Sequence, residues 1–463
     1  MSSHEKEAAA PFADAGGTRS WSRELRELGA LAGPVVFVQL GLMLTSVVDT
    51  AMLGRVSETA QAAGALGHVF SMALLWMGSG LLMALDPLVA QAYGARDERA
   101  LARHLREGLA VALLLTVVLS LPLLGARWVF EWTQQPPEVA EAATAYVLRL
   151  LPGNGGFFLF LALRQTLTAL GAMRPIVFAM LAGNLVNLFA NWMLIFGALG
   201  APALGVEGAA WATSLSRWVM VGVLWWAAKP LLGRYLAAPR APRGAWRESL
   251  RVWVRVGLPI MAHVSAEVWI FSVVGMLMGP LGSAALAGHS IALNLASLSF
   301  MVPLGIAAAA AVRVGRAVGA GDPAGARRAA AVSLSCGMGV MCVSAATFAF
   351  LPELLASCYT DAPTTIAVAA SLLPVAAAFQ IFDGLQVVGS GVLRGTGDTK
   401  IPALLALLGY WGLGLPAGYA LAYPGGLGPA GLWWGLSIGL GSVGLLLLAR
   451  IVRRMRGELR RVA

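Results

Sequence analysis

Apolar residues along this chain fall in long blocks, such as 109–124 and 440–449, broken by short polar, glycine-rich or arginine-rich stretches. A helix that crosses a bilayer needs about 20 mostly apolar residues. Twelve blocks meet that need, centred near residues 42, 76, 118, 158, 186, 218, 267, 299, 338, 379, 411 and 440. A transmembrane barrel would alternate apolar and polar residues in short segments, and no such alternation is visible. The pattern predicts an all-α integral membrane protein of twelve spans.

Composition agrees. Of 463 residues, 58% are hydrophobic and 12% charged, with a mean hydropathy of +0.74. That charged fraction is about half the share usual in soluble domains. The net charge of +10 would suit a nucleic-acid partner, but its placement excludes one. With the N-terminus placed in the cytoplasm, 29 of the 33 Lys and Arg residues fall in cytoplasmic connections, against Arg55 and Arg127 opposite. Arg149 and Arg217 lie inside spans. This bias predicts a multi-pass protein of the bacterial inner membrane with both termini cytoplasmic. Attraction to anionic lipid is a secondary effect.

The chain is written twice. An offset of 225 residues lays Pro34 on Pro259, Gly54 on Gly279 and Ala62 on Ala287. It also lays "GARDERALAR" (94–103) on "GAGDPAGARR" (319–328), so Asp97 matches Asp322. Each aspartate is a candidate N-cap for the helix that follows, and Pro323 suits a first helical position. Six spans per half is an even number, so the halves share one orientation and form two lobes related by a pseudo-twofold along the membrane normal. The expected organisation is a disordered cytoplasmic tail at 1–22, an N-lobe at 23–228, a cytoplasmic linker at 229–249, a C-lobe at 250–452 and a basic tail at 453–463. Residues 1–20 lack the apolar core of a signal peptide. Cys336, Cys342 and Cys358 form no metal-binding or disulfide pattern.

Ionisable residues at membrane depth are costly and mark functional positions. The candidates are Asp49, Asp86, Glu267 and Asp383. Asp86 precedes Pro87 near a cytoplasmic end and reads as a cap or gate. In the C-lobe, Gln380, Asp383, Gln386 and Ser390 share one helical face, His263 lies one turn before Glu267, and Ser290, Asn294 and Ser297 form a third stripe. These stripes predict one polar pocket around two carboxylates. In the N-lobe, Gln39, Ser46 and Asp49 align on the first span, and Asn184, Asn187 and Asn191 on the fifth, predicting a second pocket around one carboxylate. Such polar residues also serve as hydrogen-bonding glue between helices. For Glu267 and Asp383 glue is the weaker reading, because neither helix offers a basic partner nearby.

Four strings carry a resemblance: "VDTAMLGR" (48–55), "GNLVNLFANWMLIFG" (183–197), "AGHSIALN" (287–294) and "DGLQVVGSGVLRGTGDTKIP" (383–402). In this order and on these spans they resemble the multidrug and toxic compound extrusion (MATE) transporters, the bacterial NorM-type branch in particular. The resemblance covers nearly the whole chain. It implies a two-lobed secondary transporter that exchanges H⁺ or Na⁺ for organic cations. Glu267 and Asp383 match the C-lobe cation site of that branch, Asp49 its N-lobe acid, and Asn187 and Asn191 its fifth-span polar pair. The chain departs from the pattern at Phe379, where a tyrosine is frequent, and at Ser290, where glutamine commonly follows the histidine. Both changes remove oxygen ligands for Na⁺ and leave proton coupling intact.

The expected mechanism is antiport. Desolvation disfavours a charged carboxylate, and two neighbours disfavour each other's charge. Such a pair takes a proton, a hard cation or an organic cation, but does not hold coupling ion and drug equally well at once. The expected partners are small organic cations and membrane lipid, and the protein is expected to work as a monomer. No cofactor is expected beyond the coupling ion, with Na⁺ the metal candidate at Glu267 and Asp383. Phe37, Trp76, Phe157, Phe158, Trp269 and Phe300 are candidate walls of an apolar cavity for flat cations. The Gly-rich turn 394–398 follows a helix and lacks a phosphate loop's Lys-Ser/Thr spacing, so it reads as a hairpin. A flippase for lipid-linked sugars is the main alternative; it would need a basic cavity. Only five His are present, and none stands in an H-E-x-x-H or similar arrangement, which argues against an enzyme.

Overall fold

The computed structural model describes residues 21–238 and 245–462, the side chains of 245–250 excepted. The expected tail at 1–22 lies outside the described residues except for Trp21 and Ser22, which open the first helix, and the middle of the expected linker at 229–249 also lies outside them. Among the described residues there is no strand. Twelve long helices follow one another: α1 (Trp21–Leu53), α2 (Glu58–Gly94), α3 (Glu98–Trp132), α4 (Pro137–Leu170), α5 (Met173–Phe196) and α6 (Val206–Ala237), then α7 (Ala245–Met278), α8 (Ser283–Gly319), α9 (Pro323–Phe350), α10 (Pro363–Gly395), α11 (Lys400–Ala422) and α12 (Pro429–Arg456).

Eleven of these are long and apolar enough to cross a membrane. The exception, α6, has 32 residues, ample length, but Arg217, its serines and its four tryptophans lower its hydropathy. It packs along α4 and α5 as a full member of its lobe. The predicted caps form: Asp97 Oδ1 accepts from the Ala100 amide at 2.9 Å and Asp322 Oδ1 from the Gly325 amide at 2.7 Å. At the hairpin between α10 and α11, Gly397 takes φ +79°, a region glycine enters without a Cβ clash.

Helices α1–α6 form one lobe and α7–α12 the other. The lobes meet through α1 against α8, α2 against α7, and the end of α2 against α8. This seam obeys the sequence repeat. A Cβ placed on Gly94 would fall 2.0 Å from the carbonyl oxygen of Arg316, and one on Gly319 would fall 2.0 Å from that of Gln91. Residues 91 and 316, like 94 and 319, are 225 apart. The same exchange recurs deeper. A Cβ on Gly80 would come 2.7 Å from the Met261 Cα, and one on Gly305 would come 2.4 Å from the Val36 side chain. Glycines let helix backbones touch where lipid gives no hydrophobic drive for association.

Polar contacts close the seam at the end of the bundle that carries the arginines. The Arg394 Nε lies 3.3 Å from Asp86 Oδ2. Gln91 donates to the Gly395 carbonyl at 2.9 Å and accepts from the Val462 amide at 2.9 Å. Arg316 donates to the Ala169 carbonyl at 2.9 and 3.0 Å while covering the Tyr93 ring at 4.9 Å. Arg313 binds Glu24, and Arg461 reaches Asp97 at 3.1 Å.

Candidate functional site

Each lobe buries an acid, in contrasting surroundings. In the N-lobe, Asp49 sits one turn before the end of α1, facing α5 and α6. Its Oδ1 accepts from Asn191 Nδ2 at 2.5 Å and its Oδ2 from the Thr213 hydroxyl at 2.7 Å. Asn191 also donates to Asn187 Oδ1 at 3.1 Å, and Asn187 donates to Thr213 at 3.3 Å. The i, i+4 spacing of Asn187 and Asn191 puts both amides on the α5 face that meets α1. One turn beyond Thr213 lies Arg217, within electrostatic reach of Asp49 and Tyr146. Its guanidinium covers the Phe157 ring at 5.3 Å and donates to Asn154 at 3.3 Å. Asn154 in turn donates to Ser120 at 3.2 Å. This pocket therefore has its own cation and a hydrogen-bond network that leaves Asn191 Oδ1 as an unpartnered buried oxygen.

The structure leaves Gln39 out of it. Ten residues of helix, about 15 Å, separate Gln39 from Asp49, and the Gln39 side chain accepts from Arg164 at 2.7 Å. Ser46 bonds His68 instead, at 3.2 Å, and Asn184 accepts from Thr45 at 2.7 Å. The alignment along α1 is real, but the residues on it reach different neighbours.

In the C-lobe, Glu267 of α7 and Asp383 of α10 lie within electrostatic reach of each other. Asp383 is 4% exposed and the Glu267 side chain 17%. His263 Nε2 is 3.8 Å from Glu267 and 2.8 Å from the Gln386 amide nitrogen, and Gln386 also lies against Glu267. As placed, Gln386 donates to Nε2, so that nitrogen carries no proton and His263 brings no charge to Glu267. Among the described residues, no Lys or Arg forms a salt bridge with either carboxylate. The Oε1 atoms of Gln380 and Gln386 are buried without partners. Gln380 donates to Ser299 of α8 at 2.5 Å.

Ser290 and Asn294 do not join this cluster. Both are exposed and turn back on their own helix, Ser290 to the Leu286 carbonyl and Asn294 to the Ser290 carbonyl, each at 2.9 Å. A short polar side chain in a helix satisfies itself this way when no partner helix faces it. Among the aromatic candidates, Phe158 is wholly buried against Gly78 and cannot line a cavity, and Phe157 serves Arg217; Phe37 and Trp269 are exposed.

Two participants, Thr213 and Tyr410, escaped the sequence reading, and Asp86 was read there without its partner. Thr213 is an unremarkable hydroxyl in "WATSLSRW" (211–218) until Asp49 is seen to face it. Asp86 gains Arg394, 308 residues away, and stands within electrostatic reach of Arg164. Tyr410 of α11 is buried within electrostatic reach of both Glu267 and Asp383, and its hydroxyl has no partner. The one sequence signal for it was the glycine flanking in "LGYWGLG" (408–414).

A helical bundle of two repeated lobes, each with an acid enclosed among its helices, defines the architecture of a polytopic membrane transporter. A profile of the MatE family matches residues 34–193 and 259–420, one stretch per lobe, their starts again 225 apart. The multidrug resistance protein PmpM of Pseudomonas aeruginosa is 38% identical over 452 residues, covering 94% of this chain and 93% of that protein. The multidrug resistance protein NorM of Burkholderia vietnamiensis is 38% identical over 439 residues, covering 93% and 94%. The crystal structure of the eukaryotic MATE transporter AtDTX14 superposes with a TM-score of 0.86 at 25% identity, covering 93% of this chain and 96% of that one. The chain belongs to the MATE family, in its NorM-type branch.

Proposed function

We propose that this protein is a multidrug efflux antiporter of the bacterial inner membrane, exchanging H⁺ or Na⁺ for organic cations by alternating access. One observation carries the reading: Glu267 and Asp383 lie within electrostatic reach of each other inside the C-lobe, and no Lys or Arg forms a salt bridge with either, among the described residues. The pocket is thus deficient in positive charge, and its oxygen-rich lining suits a proton or a hard cation. The Asp49 pocket, with Arg217 built in, has less need of a guest cation. The names borne by the relatives support drugs as the cargo.

The arginine-rich end is the cytoplasmic one in this reading, following the charge bias. The closed seam there corresponds to a state open to the outside. An ion arriving from outside at the acid pair supplies the missing charge, weakens the hold on an organic cation and releases it outward. Opening the seam then exposes the pair to the cytoplasm, where drug replaces ion. The membrane field contributes about 2.3 kcal/mol per charge per 100 mV to inward cation movement. A lipid-linked pyrophosphate is less suited, because the buried arginines are already engaged: Arg164 with Gln39, Arg217 with Asn154, Arg313 with Glu24 and Arg394 with Asp86.

The test is efflux of a fluorescent organic cation from proteoliposomes under an imposed ΔpH or Na⁺ gradient. Glu267→Gln and Asp383→Asn are expected to insert normally and to lose ion-driven transport. Wild-type rates in both variants would remove the acid pair from the mechanism.

A further inference from the structure

Tyr410 is 2% exposed, and its hydroxyl is buried without a hydrogen-bond partner. A buried phenol nearly always finds one, so an orphan hydroxyl within electrostatic reach of two carboxylates calls for explanation. The backbone around it is equally unusual. Residues Leu408–Gly414 form a π-helical turn in the middle of α11. Such turns are rare and cluster at functional sites, since one extra residue per turn rotates a side chain off the face an α-helix would give it.

This turn is held from two sides. The Trp411 indole N–H donates to the carbonyl of Ala266 at 3.1 Å, fixing α11 to α7 one residue before Glu267. Against α12, a Cβ on Gly409 would meet the Val443 side chain at 2.3 Å, and one on Gly439 would meet the Gly409 carbonyl at 2.8 Å. These contacts hold the turn against α7 on one side and α12 on the other. The titratable groups within electrostatic reach of Tyr410 are Glu267 from α7 and Asp383 from α10, with His263 3.8 Å from Glu267; every titratable residue of α12 lies at or beyond Arg450.

We infer that Tyr410 is a positioning residue of the C-lobe acid pair. Its hydroxyl, unpartnered in this structure, is poised to donate to a carboxylate that swings toward it and to turn its oxygen to an ion held by the pair. A phenol can do both because it is donor and acceptor at once. The inference rests on the antiport reading and adds to it a third oxygen, supplied from a helix that carries neither acid.

The test measures equilibrium binding of a fluorescent organic cation to purified protein, titrated with protons and separately with Na⁺. Tyr410→Phe keeps the ring and removes only the oxygen. The expected result is a displacement midpoint shifted about tenfold for the coupling ion, in line with one hydrogen bond to a charged group, with drug affinity in the absence of competitor changed less than twofold. Trp411→Phe, which loosens the turn without touching the ion, should shift the same midpoint in the same direction. An unchanged midpoint in Tyr410→Phe overturns the inference, as does an equal loss of drug and ion affinity, which marks a merely structural role. Should no ion displace the cation from wild-type protein, the antiport reading itself fails and this inference fails with it. Displacement intact in wild type and unaltered in the variant sinks the Tyr410 role alone.

Discussion

Asp86 of the N-lobe and Arg394 of the C-lobe form an ion pair across the seam, 3.3 Å apart and almost wholly out of solvent. Removing one partner strands the other charge, which typically costs about 3–5 kcal/mol. Arg394→Ala should therefore open the arginine-rich end and lower the melting temperature in detergent, and Asp86→Asn with Arg394→Gln together should recover much of the loss. A double-mutant cycle showing no coupling between the two positions would contradict this.

The glycine contacts give a symmetric prediction. Gly94→Ala and Gly319→Ala each drive a methyl group into a facing carbonyl, with an overpacking cost of about 1–3 kcal/mol. Because the two sites are related by the repeat, both variants should speed amide hydrogen exchange at the end of α2 and of α8 to a similar degree. Faster exchange on one side only would argue that the seam is not symmetric in energy.

The two acid pockets should respond oppositely to loss of charge. Both Asp49→Ala and Asp49→Asn leave Arg217 without its counter-charge, but only Asp49→Ala also removes every acceptor for Asn191 and Thr213, so it should destabilise by about 1–3 kcal/mol more than Asp49→Asn. Asp383→Asn relieves a crowded pair that lacks a cation. Its melting temperature at neutral pH should be no lower than wild type, although transport is lost. Calorimetry of the three variants decides the matter.

Outside the membrane, the Ala100 amide and then Arg461 hold the Asp97 carboxyl below its ordinary value of 3.8. A lowered value means that the stabilisation is complete above the ordinary value and fades as pH falls through the lowered one. The contact between Arg461 and Asp97 should therefore persist throughout the physiological range and be lost only in strong acid. Asp97→Asn should loosen the chain near Val462 at neutral pH, read as faster proteolysis of the last residues. Proteolysis that does not change would remove this contact from the seam.

Much of this molecule could be read in advance, for reasons that also explain what could not. Apolar blocks and a 225-residue repeat report how the chain crosses a membrane, and ionisable residues inside such blocks are expensive enough to stand out, so Asp49, Glu267 and Asp383 were conspicuous. Periodicity assigns a residue to a face, but it does not name the neighbour across from that face. Gln39 and Asp49 share a stripe and reach different partners, and Ser290 and Asn294 look like a pocket wall while bonding only to their own helix. Tyr410 was hidden for a different reason: a π-turn breaks the 3.6-residue rule on which face assignment depends.

The paired notches at Gly94 and Gly319 also restrict how the halves can part. Sliding one lobe along the other by a helical turn, about 5.4 Å, would carry each notch past its carbonyl and bring a side chain where none fits. Like a lap joint, the assembly resists shear and yields to lifting. The lobes must hinge apart at this end before any translation can begin.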